Sequence, residues 1–208
     1  MCQLKPLTFR NDVLALRSSG GMASTVEVAK LTLFMRSLRA VRRFAAEPVA
    51  DQVLLDVLDV ARWTGSSKNT QPWHLIVVRD RSALQSLANC GPYAGHLAGA
   101  QVAIVLVMED GNRRFDEGRL AQNLMLAGWA HGVGSCIGSL YPEPNVRRAK
   151  ELLGVPASKW LHTAISFGYP ADLSALRLSV NRSGLAEVAI GRHELSAFVS
   201  WERFGTPR

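Results

Sequence analysis

The run Val102-Ala103-Ile104-Val105-Leu106-Val107-Met108 constrains this chain more than any other stretch. It is β-branched and apolar without alternation, so it does not suit a strand with one wet face. Such a run needs cover above and below, which is the situation of a central strand between layers of other elements. It is far shorter than the ~20 residues a membrane-spanning helix requires. No longer apolar run occurs, so no membrane span is expected.

Other elements are read around this strand. Ser24-Thr25-Val26-Glu27 has the form of a capping box, followed by Val28, Leu31, Phe34, Met35 and Leu38 at helical spacing. Val53, Leu54, Val57, Leu58, Val60 and Ala61 mark a second amphipathic helix ending near Trp63. Trp73 to Val78 reads as a strand, with a short helix after Ser82 that is broken at Gly91-Pro92-Tyr93. A long helix is expected from Asp116 to His131, ended by Gly132-Val133-Gly134. Ser135 to Leu140 reads as a strand or a loop under a ligand. A helix over Asn145 to Leu153 and a buried strand over His162 to Phe167 complete the pattern. Helices outnumber strands, which favours an α+β sheet covered by helices. Residues 1–22 read as a weakly ordered extension and residues 23–208 as a single domain.

Composition narrows the function. Three scattered cysteines, Cys2, Cys90 and Cys136, make neither a disulfide framework nor a zinc site, and Cys136 reads as a small core residue. The five histidines never fall at metal-ligand spacing, so no metal is expected. The N-terminus lacks the apolar core and cleavage site of a secretory signal, and a cytoplasmic location is expected. A net charge of +7 favours anionic partners. The densest basic run, Arg36 to Arg43, lacks interleaved aromatics, so nucleic acid is not expected.

Four segments carry candidate chemistry. Arg39-Ala40-Val41-Arg42-Arg43-Phe44 offers guanidinium forks suited to phosphate, although a solvated helix face would look the same. Ser66-Ser67-Lys68-Asn69-Thr70-Gln71-Pro72-Trp73 offers donors and acceptors for a ring with an amide-like edge, or a helix-to-strand turn. Gly132 to Ser139 permits close backbone approach, or simply ends a helix. It does not match the G-x-G-x-x-G of a Rossmann unit. Gly191-Arg192 supplies a late basic residue.

Taken together, in this order and spacing, these segments resemble the nitroreductase family from about Leu31 to Gly205. The resemblance implies a central, mostly antiparallel sheet covered by helices, in an interlocked homodimer with two flavin mononucleotides (FMN) at the subunit interface. It places Arg39, Arg42 and Arg192 at the flavin phosphate, with Ala40 contributing backbone. Ser66, Asn69 and Gln71 match the loop that reaches the neighbouring subunit's flavin, and Ile137, Gly138 and Ser139 match the stretch beside the reactive edge of the ring. The family usually has Arg-Arg-Ser where this chain has Leu38-Arg39-Ala40, and commonly Pro where it has Gly65.

The activity implied is hydride transfer from NADH or NADPH through flavin to a small-molecule acceptor, nitroaromatic or quinone-type, by ping-pong turnover. No side chain is singled out as catalytic. The alternatives are a flavin-fragmenting or dehalogenating reaction on the same fold, a non-catalytic flavin carrier, and a basic nucleic-acid-binding module.

Overall fold

The computed structural model describes residues 25–172 and 193–206. The chain divides after Ala171 into two compact units. In the first, helix α1 (Thr25–Ser37) leads through an extended segment to α2 (Asp51–Arg62). Strand β1 (Trp73–Val78), helix α3 (Arg81–Ala88) and strand β2 (Val102–Met108) follow. Helix α4 (Arg114–Ala130), strand β3 (Gly134–Ser139), helix α5 (Glu143–Leu153) and strand β4 (Trp160–Gly168) complete it. The second unit holds one short turn of helix, Leu195–Ala197, and a loop closed by Gly205 N–H donating to Ser200 Oγ at 2.9 Å.

The four strands lie in the order β1-β2-β4-β3, and every pairing is antiparallel. The architecture is therefore α+β with an antiparallel sheet, as expected, and β2 is interior. All seven of its residues are buried, and alternate side chains feed two separate cores. Ala103, Val105 and Val107 join Leu84 and Leu87 of α3 and Val146 and Ala149 of α5. Val102, Ile104 and Leu106 join Leu54 and Val57 of α2 and Leu120 and Leu124 of α4. Fully burying a Val, Leu or Ile side chain contributes roughly 1.5–3 kcal/mol, so this one strand anchors both layers.

Local chemistry sets the element ends. Asp80 caps α3: its carboxylate accepts from Ala83 N–H at 2.8 Å and from Ser82 Oγ at 2.5 Å. The Ser82 hydroxyl, then the Ala83 amide, hold its pKa below the ordinary carboxylate value. Gly154 ends α5 at φ 66, where a residue without Cβ adopts the left-handed cap freely. The long helix begins at Arg114, two residues before the sequence-based start, after a short turn that Asp110 caps through Asn112 N–H at 2.7 Å. In α2 the buried stripe is Leu54, Val57 and Ala61, and Val60 lies outside it at 47% exposure. Residues 1–22, Ser24 of the capping box and Arg192 lie outside the described residues.

The segment after α1 is stitched to the far side of the sheet. Val41 N–H donates to Ser135 O at 2.9 Å, and Ala45 N–H to Tyr169 O at 2.8 Å. Trp129 of α4 donates its indole N–H to Ser37 Oγ at 2.8 Å, fixing the end of α1. Gly134 and Gly168 make this seam possible, because a Cβ on either would meet Val41 or Phe44.

Gly91 is tighter still, since a Cβ there would overlap the Ser139 carbonyl oxygen, a backbone atom with no room to yield. Gly91→Ala should therefore cost about 1–3 kcal/mol, the range for overpacking. Thermal denaturation followed by circular dichroism should show a Tm lower by roughly 2–4 °C per kcal/mol.

Candidate functional site

The free edge of β3 gathers several of the sequence-selected residues. Leu140 N–H donates to His162 O at 2.7 Å, and the same register pairs Gly138 with Ala164 and Cys136 with Ser166. Hydrogen-bonded and non-bonded pairs alternate in an antiparallel ladder. Ser135, Ile137 and Ser139 therefore turn their N–H and C=O groups away from β4. At Ser135 that outward carbonyl is taken by Val41 N–H. Beyond it the Ser139 carbonyl packs against Gly91 and the Ile137 backbone faces His96, so the outward N–H groups of Ile137 and Ser139 are what the edge offers a planar ligand. Ile137 also presents its side chain, which is 46% exposed.

Arg42 stands at the inner end of this edge. Ala40 forms the parallel bridge to Ser135, and the exposed Arg42 guanidinium lies close to Cys136. Burial pushes the Cys136 thiol up from its ordinary pKa, and the charge and hydrogen bond of Arg42 only partly oppose this, so the thiol stays protonated. Arg39 is placed differently. Its Nη1 donates to the carbonyls of Arg36 and Leu38, both at 2.8 Å, which caps the end of α1. Its Nε is buried without a partner.

The glycines of this stretch serve the chain's own packing. Gly132 takes φ 73 at the end of α4. At Gly138 a Cβ would sit 3.4 Å from Ala94 and from His96 Nε2, so the missing side chain admits the turn over residues 95–99. His96 was not singled out in the sequence, where it lies in a Gly- and Ala-rich stretch without spacing signal. Its Nδ1 lies 2.7 Å from Ser166 Oγ, and that hydroxyl donates to Cys136 O at 3.2 Å. Which of the two groups donates in the 2.7 Å contact depends on the imidazole tautomer, and Nε2 is a buried atom without a hydrogen-bond partner. Burial chiefly, and then Arg42, keep the His96 pKa below its ordinary value against an opposing effect of the Ile137 backbone.

The loop from Ser66 to Gln71 is shaped by its own hydrogen bonds. Ser66 Oγ accepts from Gln71 N–H at 2.8 Å, and Asn69 Oδ1 from Gln71 Nε2 at 3.4 Å. Lys68, Asn69 and Gln71 all have positive φ, at 52°, 52° and 47°. Asn tolerates the left-handed region, whereas Lys and Gln enter it at a cost of roughly 1–2 kcal/mol each. Asn123 of α4 donates to Thr64 Oγ1 at 2.8 Å and ties the loop's root to the helix. At Gly65 the Arg119 guanidinium occupies the space a ring would need. Within one chain, the exposed Asn69 and Gln71 do not line the cavity beside Ile137. A cavity of about 730 Å³ lies between Gln71-Pro72-Trp73 and the segment from Leu153 to Lys159, and shares no lining residue with β3.

Two tests follow from this geometry. Lys68→Gly should raise stability by up to about 1 kcal/mol, because glycine takes φ near +50° without strain, and the midpoint of urea unfolding should rise accordingly. A His whose folded pKa is depressed binds fewer protons folded than unfolded. Its stabilising effect is complete above the unfolded pKa of ~6.5 and declines as pH falls below it. Tm measured from pH 7.5 to 5 should include that decline in the wild type. His96→Asn, which keeps a polar side chain toward Ser166, should lack that component.

Comparison with known proteins follows the same lines. The profile of the nitroreductase family matches residues 35–94 and 89–169. An Archaeoglobus fulgidus protein with the provisional name NADH dehydrogenase/NAD(P)H nitroreductase is 30% identical over 142 residues, covering 64% of this chain and 82% of the relative. Nitroreductase NfnB of Mycolicibacterium smegmatis is 28% identical, covering 78% and 93%. Among solved structures, an FMN-dependent nitroreductase of Clostridium difficile superposes with a TM-score of 0.64 at 24% identity, covering 77% of this chain and 98% of that one. The match runs through the Arg42 segment, the Ser66–Trp73 loop and β3, and by it this chain belongs to the nitroreductase family.

Proposed function

We propose that this chain is an FMN-dependent NAD(P)H oxidoreductase, working as a homodimer on nitroaromatic or quinone-type acceptors. The observation that carries the reading is the half-open edge of β3, where outward N–H groups of Ile137 and Ser139 continue a seam whose other end holds the Arg42 cation. An isoalloxazine ring with its acceptors suits the first, and a phosphate suits the second. The donor set therefore fits the cofactor.

Bound flavin supplies a centre that accepts hydride from a nicotinamide and gives it up to a second substrate. The chain's own residues bind and orient. Arg42, with Arg192 as its expected companion, neutralises the phosphate. Ala40 lends backbone beside it, and Arg39 secures the helix end from which the segment leaves. Ile137, Gly138 and Ser139 fix the ring's edge. The half-buried, neutral His96 and the buried Ser166 support β3 from behind. No side chain is assigned a proton transfer.

The dimer has two supports within one chain. Leu31, Leu33 and Met35 of α1 are 60–66% exposed and Phe115 of α4 is 77% exposed, which leaves apolar surface for a second copy to cover. Ser66, Asn69 and Gln71 sit on a preshaped, outward loop that has no role in its own chain's β3 edge, as expected of a loop serving the neighbour's site. Cys90 and Cys136 are free, in keeping with a cytoplasmic setting. Among the described residues no helix is long and apolar enough to cross a membrane.

An anaerobic visible spectrum is the direct test. Protein incubated with FMN and freed of excess should be yellow and should bleach on adding NADH or NADPH. A preparation that retains no flavin overturns the reading. Double-reciprocal plots at several acceptor concentrations should run parallel. Arg42→Ala should weaken FMN about 10- to 100-fold, the scale of a hydrogen bond to a charged group, while leaving the Tm of the flavin-free protein unchanged.

A further inference from the structure

At the edge of the sheet far from β3, apolar side chains show through between the covering helices. His74 and Ile76 of β1 pair with Val107 and Val105 of β2, and partners in an antiparallel ladder share a face, so both lie on the side where α3 and α5 pack. Cover is incomplete there: Ile76 is only partly buried and His74 is exposed. The cause is the end of α5. Gly154 turns left-handed at φ 66, Val155 N–H donates to Lys150 O at 2.8 Å, and Lys150 Nζ donates to Ala157 O at 2.9 Å. These bonds fold the chain back on the helix end instead of carrying it over β1.

The space left is the cavity of about 730 Å³ between β1 and the segment from Leu153 to Lys159. It falls within the ~300–1,000 Å³ of small-molecule sites. Its apolar wall is largely saturated, from Ile76, Val107, Leu153, Val155 and Pro156, a surface suited to a flexible aliphatic chain. The charges at the wall define the other end of a ligand. Lys159 Nζ donates to Glu109 Oε2 at 2.7 Å, so this cation and the one carboxylate of the lining neutralise each other. Arg113 is not satisfied in that way. Its Nε is buried without a hydrogen-bond partner, and Asp110 Oδ2 stands 3.8 Å away, beyond hydrogen-bond reach. The other oxygen of Asp110 is engaged by Asn112 N–H at 2.7 Å. A guanidinium with open donors beside an aliphatic wall is complementary to one carboxylate on an apolar tail.

We propose that this cavity binds a medium-chain aliphatic carboxylate, its tail along Ile76, Leu153 and Val155 and its head on the Arg113 guanidinium. A cavity of roughly 150 Å³ accepts benzene, so this one has room for a chain of about ten carbons. An alcohol of the same length meets only the wall, and a quaternary ammonium meets the wall and is repelled by Arg113. The site goes beyond the oxidoreductase reading and does not rest on it. It lies at the opposite edge of the sheet from β3, and of the residues assigned to flavin it touches Gln71 alone.

The test uses the full chain, with and without FMN, titrated below micellar concentrations with hexanoate, octanoate, decanoate, decanol and decyltrimethylammonium. Calorimetry measures affinity, and Trp73 in the lining reports occupancy by fluorescence. Decanoate should bind saturably in both forms without releasing FMN, with decanol and decyltrimethylammonium each at least several-fold weaker. Affinity should rise roughly fourfold per added CH₂ from hexanoate to decanoate, the gain from burying one such group. Arg113→Gln should weaken decanoate about tenfold or more and leave decanol unchanged. His74→Trp, at an exposed position, should abolish binding by filling the cavity at unchanged Tm. Absence of saturable decanoate binding, equal binding of decyltrimethylammonium, wild-type affinity in either variant, or release of FMN by decanoate overturns the proposal. Binding that disappears as the chain self-associates assigns the groove to a second copy and overturns it as well. Saturable decanoate binding by a protein that retains no FMN leaves this site standing and overturns the oxidoreductase reading alone.

Discussion

Burial of β2 on both faces is the constraint from which the remaining organisation descends. A strand with seven apolar side chains and no wet face must have a neighbour on each edge and a layer on each side. Here β1 and β4 take the edges, α3 and α5 one face, and α2 and α4 the other. With β1 and β4 flanking β2, β3 pairs with the outer edge of β4 and so becomes a border strand. Its outward backbone groups are left for something other than the sheet. The site proposed for this chain is thus where the sheet runs out of strands.

That border is only partly sealed. The segment after α1 takes the Ser135 carbonyl and then turns away, leaving the outward N–H groups of Ile137 and Ser139 without a partner from it. The seal depends on missing side chains, at Gly134 for Val41 and at Gly168 for Phe44. Behind the strand, the imidazole of His96 and the hydroxyl of Ser166 fasten its backbone from the opposite face. A rigid backbone with one open side is a suitable bed for a flat cofactor, since the donors need no reorganisation when it arrives.

The elements themselves were readable because each announces its own period: β1 and β2 match their expected spans, and helix ends fall within a few residues of Gly, Asp and Pro signals. Strand order was not readable, since placing β4 between β2 and β3 depends on pairings between distant residues that leave no local mark. The shape of the 66–71 loop was hidden for another reason, as nothing in Lys68 or Gln71 advertises a left-handed backbone that neighbouring bonds impose. The burial of Glu117 was legible. This residue precedes Leu120 and Leu124 by three and seven residues, which puts a carboxylate on the buried stripe of α4. His96 offered no such clue.

The bulge at His162, where Leu106 pairs with Thr163 and Val107 with Leu161, has a consequence for how a sheet of this kind acquires new pockets. One additional residue in β4 leaves the pairing with β3 continuous and the two cores in register, while changing which side chains reach the surface beside the border strand. Point substitution in a buried strand disturbs packing on both faces at once. A single-residue insertion at the strand's start does not, because the extra length is absorbed before the fully buried part begins. Diversity in what such enzymes recognise can therefore arise by changes in chain length at the sheet's rim, with the central strand left as it was.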